Sequence, residues 1–195
     1  MKKILFTAFS VLAFTVAVNA QISGGVKAGV NFANQDYEAL GLSASSDSRT
    51  AFHAGAFFTI MFADQFGLQP EILYSGQGST IESFSPGLDD IDQNFNYLNI
   101  PVLFRYQIID ILSLHAGPQL GFLLNAEADD EDIKDEFTST DFSLAFGGQV
   151  DLPMGFVGGI RYSLGLSDIN DSDDDSVEVN NNNFQIYVGF KLFGE

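Results

Sequence analysis

His53 and His115 are the only imidazoles in the sequence, and imidazole is the side chain best suited to moving protons near neutral pH. Ser113 and Ser143 share their odd-numbered parity. A hydrolytic triad needs nucleophile, base and orienting acid within hydrogen-bond reach, yet no spacing motif ties either serine to either histidine. The two histidines also fall at different distances from the nearest turns. The expectation is that both are polar fillers, that there is no catalytic residue and no enzyme activity, and that no cofactor is held. With no Cys in the chain, disulfides, thiolate nucleophiles and Cys-ligated metals are excluded.

Two other groups of residues carry charge in a pattern. Lys27, Glu71, Arg105, Asp151, Arg161 and Lys191 occupy odd positions inside otherwise apolar segments, with Asp141 at one edge and Gln69, Gln107, Gln119, Gln149 and Gln185 among them. Charges enclosed in such a setting must be paired and hydrogen-bonded. Glu71 and Arg105, on neighbouring segments, are the expected ion pair. The second group is acidic: Asp129, Asp130 and Asp132 in one stretch, Asp171, Asp173 and Asp175 in another. These are candidates for weak Ca²⁺ or Mg²⁺ binding, but they lack the glycine and spaced glutamate of a calcium loop. No firm metal site is expected, and a solvated anionic surface is the simpler reading.

The segments that position these residues alternate with period two, the signature of strands. Eight are predicted, over 22–33, 51–62, 66–78, 95–108, 112–125, 141–152, 155–166 and 183–193. Over 26–32, 52–62, 66–74, 98–108, 112–124, 142–152, 156–166 and 184–192 their even-numbered face has 45 positions, all apolar, Gly or Pro. The odd face is mostly polar, charged or Gly. An eight-stranded barrel has an interior that side chains just fill, so 45 mostly large apolar residues cannot point inward. Turned outward they meet lipid, where a charge at the midplane would cost roughly 2–4 kcal/mol. The predicted fold is an all-β, eight-stranded antiparallel up-and-down transmembrane barrel.

The connections fit that fold. Ala63-Asp64-Gln65, Ile109-Asp110-Ile111 and Pro153-Met154 are short periplasmic turns; 34–50, 79–94, 126–140 and 167–182 are long external loops. Pro70, Pro101 and Pro118 lie within strands, where a missing N–H donor predicts bulges that shift the phase locally. Phe62, Phe66 and Phe156 suit an interfacial aromatic girdle. Residues 1–20 read as a Sec-type signal peptide, with Lys2 and Lys3, an apolar stretch from Ile4 to Val18, and Val18-Asn19-Ala20 before Gln21. The barrel domain is then 21–195. The chain carries a net charge of −18 and a mean hydropathy of +0.12. These reconcile because 20 of its 26 acids sit in the four long loops. A pI near 4.1 excludes nucleic acid as a partner.

Four stretches carry a family resemblance: Gly25-Val26-Lys27-Ala28-Gly29-Val30-Asn31, Gly67-Leu68-Gln69-Pro70-Glu71-Ile72-Leu73-Tyr74-Ser75, Tyr97-Leu98-Asn99-Ile100-Pro101-Val102-Leu103 and His115-Ala116-Gly117-Pro118. Over nearly all of 22–193 the sequence resembles the small outer-membrane β-barrel (porin family) proteins of Gram-negative bacteria. The resemblance implies an OmpX-like barrel integral to the outer membrane and no defined activity. Its partners would be outer-membrane lipid and lipopolysaccharide, with the assembly machinery and periplasmic chaperones during biogenesis, and a monomer is expected. The chain departs from the family in ending Phe193-Gly194-Glu195 rather than on an aromatic. A surface-structural or envelope-integrity role with a plugged lumen is the leading expectation. Loop-mediated adhesion or binding is the alternative, followed by a narrow porin.

Overall fold

The computed structural model describes residues 21–39, 42–81, 91–128, 131–134, 137–170 and 177–194; the expected signal peptide lies outside them. Eight long strands form the wall: β1 (Gln21–Ala39), β3 (Asp47–Met61), β4 (Phe66–Ile81), β5 (Ile91–Ile109), β6 (Leu112–Ala128), β8 (Thr140–Asp151), β9 (Phe156–Gly165) and β10 (Val177–Phe193). Two short strands, β2 (Leu42–Ser45) and β7 (Glu131–Asp132), fold back on the outer ends of β1 and β6. Each wall strand pairs antiparallel with its neighbour, and β10 pairs with β1 to close the barrel.

Closure fixes the tilt. From Ile22 the register runs through Ile60, Leu68, Phe104, Ala116, Phe146, Tyr162 and Phe184, and returns to β1 at Phe32, ten positions further along. With strands about 4.8 Å apart and about 3.3 Å per residue, this shear tilts them about 41°, and each step to the next strand climbs about 3 Å.

The even face is turned outward around the whole wall; Ile22, Phe52, Ile72, Leu114, Ile160 and Ile186 are among its exposed residues. From Phe62 and Phe66 up to Phe32 and Phe122 this apolar band is about 25 Å tall, the height of a barrel's lipid-facing belt. Aromatic contacts mark its lower edge, with Phe66 against Tyr106 at 5.2 Å and Phe156 against Phe190 at 5.2 Å. Among the described residues no helix is long and apolar enough to cross a membrane; the strands do the crossing.

The outer ends differ from expectation. The described ends of the stretches read as long loops include strand, since β1 continues to Ala39, β4 to Ile81 and β10 begins at Val177. The outward face changes character at one height, from Phe32 to Asn34, from Phe52 to Thr50, from Tyr74 to Gly76 and from Phe184 to Asn182. Above that line the wall continues for about 15 Å with a polar exterior.

The prolines interrupt pairing without shifting it. Pro70 falls in a gap of the β3–β4 ladder, between Phe57 paired with Glu71 and Ile60 paired with Leu68, and the register is the same on both sides. Pro101 sits in a gap of β4–β5 and Pro118 in a gap of β5–β6, again without displacement. A missing N–H removes a hydrogen bond there, while the flanking pairs and the lipid-facing side chains hold the phase. A register shift occurs instead between Asn96 and Tyr97 of β5, opposite Leu123 to Asn125 of β6. It turns both Leu123 and Ala126 inward, where they join Phe95 and Tyr97 in a buried cluster covered by Ile133 and Phe137. Phe137 meets Phe95 edge-on at 4.7 Å.

Candidate functional site: the charged lumen

The odd face lines a lumen filled with side chains. At mid-height Glu71 on β4 is fully enclosed and meets two cations from distant strands. Its Oε2 lies 2.6 Å from Lys27 Nζ on β1. Arg161 on β9 donates from Nη1 to Oε2 at 2.7 Å and from Nη2 to Oε1 at 2.8 Å. Gln69 Nε2 donates to Oε1 at 2.8 Å. The Tyr187 ring lies beneath both cations, 4.4 Å from Lys27 Nζ and 5.5 Å from the Arg161 guanidinium carbon. A two-pronged guanidinium fork on a desolvated carboxylate is the strongest form of such a pair.

A second cluster lies nearer the turns. Arg105 Nη2 is paired with Asp151 Oδ2, and Arg105 Nη1 donates to Gln69 Oε1 at 2.9 Å. Arg105 also donates from Nη2 to Gln107 at 3.0 Å. Gln149 Nε2 donates to Asp151 Oδ1 at 2.9 Å, and Lys191 Nζ stands 3.7 Å from the same oxygen. Arg105, Gln107, Asp151 and Lys191 line a polar vestibule of about 430 Å³ that reaches the turn residues Asp64 and Asp110.

Glu71 and Arg105 are therefore not partners. Arg105 is opposite Gly67, four residues down the strand from Glu71. Distance from a turn is a poor measure of height in a sheared barrel, because β4 turns into β3 and β5 into β6, and each step climbs about 3 Å. Sequence reading also missed Tyr187 as a member of the network, although it has the inward parity. Some inward glycines make room for uncharged neighbours, whereas Gly189 faces the Lys27 side chain. A Cβ on Gly159 would collide with the Tyr187 ring, and one on Gly29 with His53 and the Ile186 carbonyl.

The histidines are apart by about 10 Å along the barrel axis. His115 Nε2 accepts from Arg161 Nε at 3.2 Å, and His53 Nδ1 lies 2.6 Å from Asn31 Oδ1. Ser113 donates to the Gln149 carbonyl and Ser143 accepts from Gln119, so neither serine is drawn to an imidazole. Asp141 is buried at the upper rim, accepting from Asn181 and Ser167.

Of the acidic-loop candidates, Asp132 is exposed and accepts from the Lys134 amide at 3.0 Å. Asp129, Asp130, Asp171, Asp173 and Asp175 lie outside the described residues. Among the described residues no group of three or more His, Asp or Glu is placed to hold a metal ion.

A closed eight-stranded barrel with an apolar belt and a charged interior defines a class, the small outer-membrane β-barrel proteins. The chain matches the outer membrane protein beta-barrel domain over residues 16–171 and belongs to that family. It is thus an integral protein of the outer membrane. Among solved structures it is similar to Ail, the attachment invasion locus protein of Yersinia pestis, in complex with the heparin analogue sucrose octasulfate. That likeness has 17% identity, a TM-score of 0.50, and coverage of 88% of this chain and 99% of that one. It is also similar to OprG from Pseudomonas aeruginosa, with 17% identity, a TM-score of 0.51, and coverage of 89% and 95%. At these identities the likeness is one of fold. Comparison with curated protein sequences gives no match.

Proposed function

We propose that the barrel is a plugged scaffold of the outer membrane with a surface-structural or envelope-integrity role. One observation supports this above the others: Glu71 ties β1, β4 and β9 together across the lumen through Lys27 and Arg161, with all three side chains almost wholly buried. A solute would have to break this buried cluster, and removing one member of such a group costs about 3–5 kcal/mol. The lower cluster of Arg105, Asp151 and Lys191 adds a second layer. In this role the chain is exported by its first twenty residues, assembles as a monomer and has no catalytic duty. Single-channel recording of the refolded barrel in a planar bilayer tests the plug. Flat traces are expected, and discrete conductance steps would refute it.

The polar wall above the apolar band favours a second reading, in which the outer rim binds a partner or divalent cations bridging to lipopolysaccharide. The heparin analogue held by Ail does not transfer easily, because the loops here are strongly acidic and would repel a polysulfated ligand. Replacing Asp129, Asp130, Asp132, Asp171, Asp173 and Asp175 by Asn separates the readings. Unchanged surface adhesion and Ca²⁺ uptake would leave the scaffold role alone.

A further inference from the structure

The vestibule at the lower end of the lumen sorts its charges by height. Along the lumen below Asp141, the cations Lys27, Arg105, Arg161 and Lys191 face two carboxylates, Glu71 and Asp151. Each carboxylate is thus shared by two cations, inside a lipid-clad wall where an unmatched charge is costly. In the lower pair Arg105 takes Asp151 Oδ2, and Gln149 already donates to Oδ1. Lys191 Nζ keeps only a 3.7 Å contact with that oxygen among the described residues, too long for a hydrogen bond. An ammonium with three donors therefore lines the vestibule largely unmet.

The mouth of the same vestibule has the opposite sign. Asp64 in the β3–β4 turn and Asp110 in the β5–β6 turn line it, both exposed. Neither belongs to an ion pair among the described residues. Register places them about 6–10 Å below Arg105 and Lys191 along the axis. Gln107 holds the two levels in fixed relation. Its Oε1 accepts from Arg105, and its Nε2 donates to the Ile109 and Asp110 carbonyls at 2.8 and 3.2 Å. An anion alone would have to sit behind two carboxylates, and a cation alone would leave Lys191 unmet. A ligand with an anionic inner end and a cationic outer end satisfies both levels. A single amino acid is too short, with its charged groups under about 3 Å apart along the backbone. At about 3.3 Å per extended residue, two or three residues span the gap. The volume of about 430 Å³ is within the range of small-molecule sites, and Met61, Phe62 and Ala63 give it an apolar flank.

We infer that the vestibule binds a short free peptide of two or three residues from the periplasm, its carboxylate at Lys191 beside Arg105 and its α-ammonium at Asp64 and Asp110. The small apolar flank favours small side chains. The Lys27, Glu71 and Arg161 layer closes the inner end, so the peptide is held there rather than passed on.

The test is calorimetric titration of the refolded barrel in micelles with trialanine, its N-acetyl and C-amide forms, free alanine and acetate. Saturable binding of trialanine is expected, weakened at least about tenfold by blocking either terminus, by Lys191→Gln, or by Asp64→Asn with Asp110→Asn. Lys134→Gln, at the outer rim, should leave it unchanged, and circular dichroism checks that each variant folds. Absence of saturable binding would overturn the inference, as would equal binding of the blocked peptides. Acetate or alanine binding as tightly as trialanine would reduce the site to a simple anion or amino-acid site and overturn it too. Conductance is measured separately, so current steps with intact trialanine binding would sink the plug alone, and flat traces without binding would sink the peptide site alone.

Discussion

Replacing Glu71 by Gln keeps the shape of the side chain and its capacity to accept from Gln69, but deletes the charge that faces Lys27 and Arg161. Both cations are then left in the lumen with side chains at 1% and 0% exposure. Breaking a buried pair by removing one partner costs about 3–5 kcal/mol, and here two cations lose the same partner. Cation–π contact with Tyr187 returns at most about 2 kcal/mol, and it is present already in the parent. A loss of at least about 3 kcal/mol is therefore expected. The chain has no Trp, so the transition is best followed by far-ultraviolet circular dichroism during urea titration in lipid vesicles, taking the shift in midpoint at constant slope. Combining Glu71→Gln with Arg161→Met should recover part of the loss, because the double variant leaves one buried cation rather than two. A loss below about 1 kcal/mol, the value of a solvent-exposed pair, would refute the reasoning by showing that water screens the cluster.

Asp151→Asn should cost less, about 1–3 kcal/mol, since Arg105 retains Gln69 and Gln107 and the vestibule admits water; the same titration compares the two variants directly. On the lipid face, Ala116→Arg near the middle of the apolar band should cost about 2–4 kcal/mol, whereas Leu192→Arg at its lower edge should cost about 0–1. Equal losses would mean that the band is misplaced. For topology, a cysteine at Ser48 should react with a membrane-impermeant reagent on intact cells and one at Gln65 should not. The opposite labelling pattern would invert the barrel.

The wall was legible in the sequence because lipid imposes one rule on every outward position, and parity alone then sorts Val26, Phe52, Ile72 and Leu114 from Lys27, His53, Glu71 and Ser113. The height of the membrane edge was equally written there, in the change from Phe32 to Asn34 and from Tyr74 to Gly76, but it was hidden by ending the strands where the apolar run ended. Hydrogen bonding to neighbours carries β1 and β4 past that edge without any help from lipid. The partners of Glu71 were not legible. Lys27 and Arg161 reach it across the lumen, so their meeting depends on the shear of the closed barrel, which no local spacing records. The prolines misled for a related reason: they report a lost hydrogen bond, whereas register is held by all the pairs on either side.

The polar extension of the wall bears on the electrostatics of the cell surface. Lipid headgroups of the outer leaflet are anionic, and so are the loops. At physiological salt the field of a surface charge fades over about 8 Å. A wall that rises about 15 Å above the apolar band holds the exposed Asp47 and Glu178 beyond that range, so acids at its outer end do not repel the membrane in which it stands. Shortening β4 and β5 together by two residues at their outer ends would bring like charges together and make insertion dependent on salt.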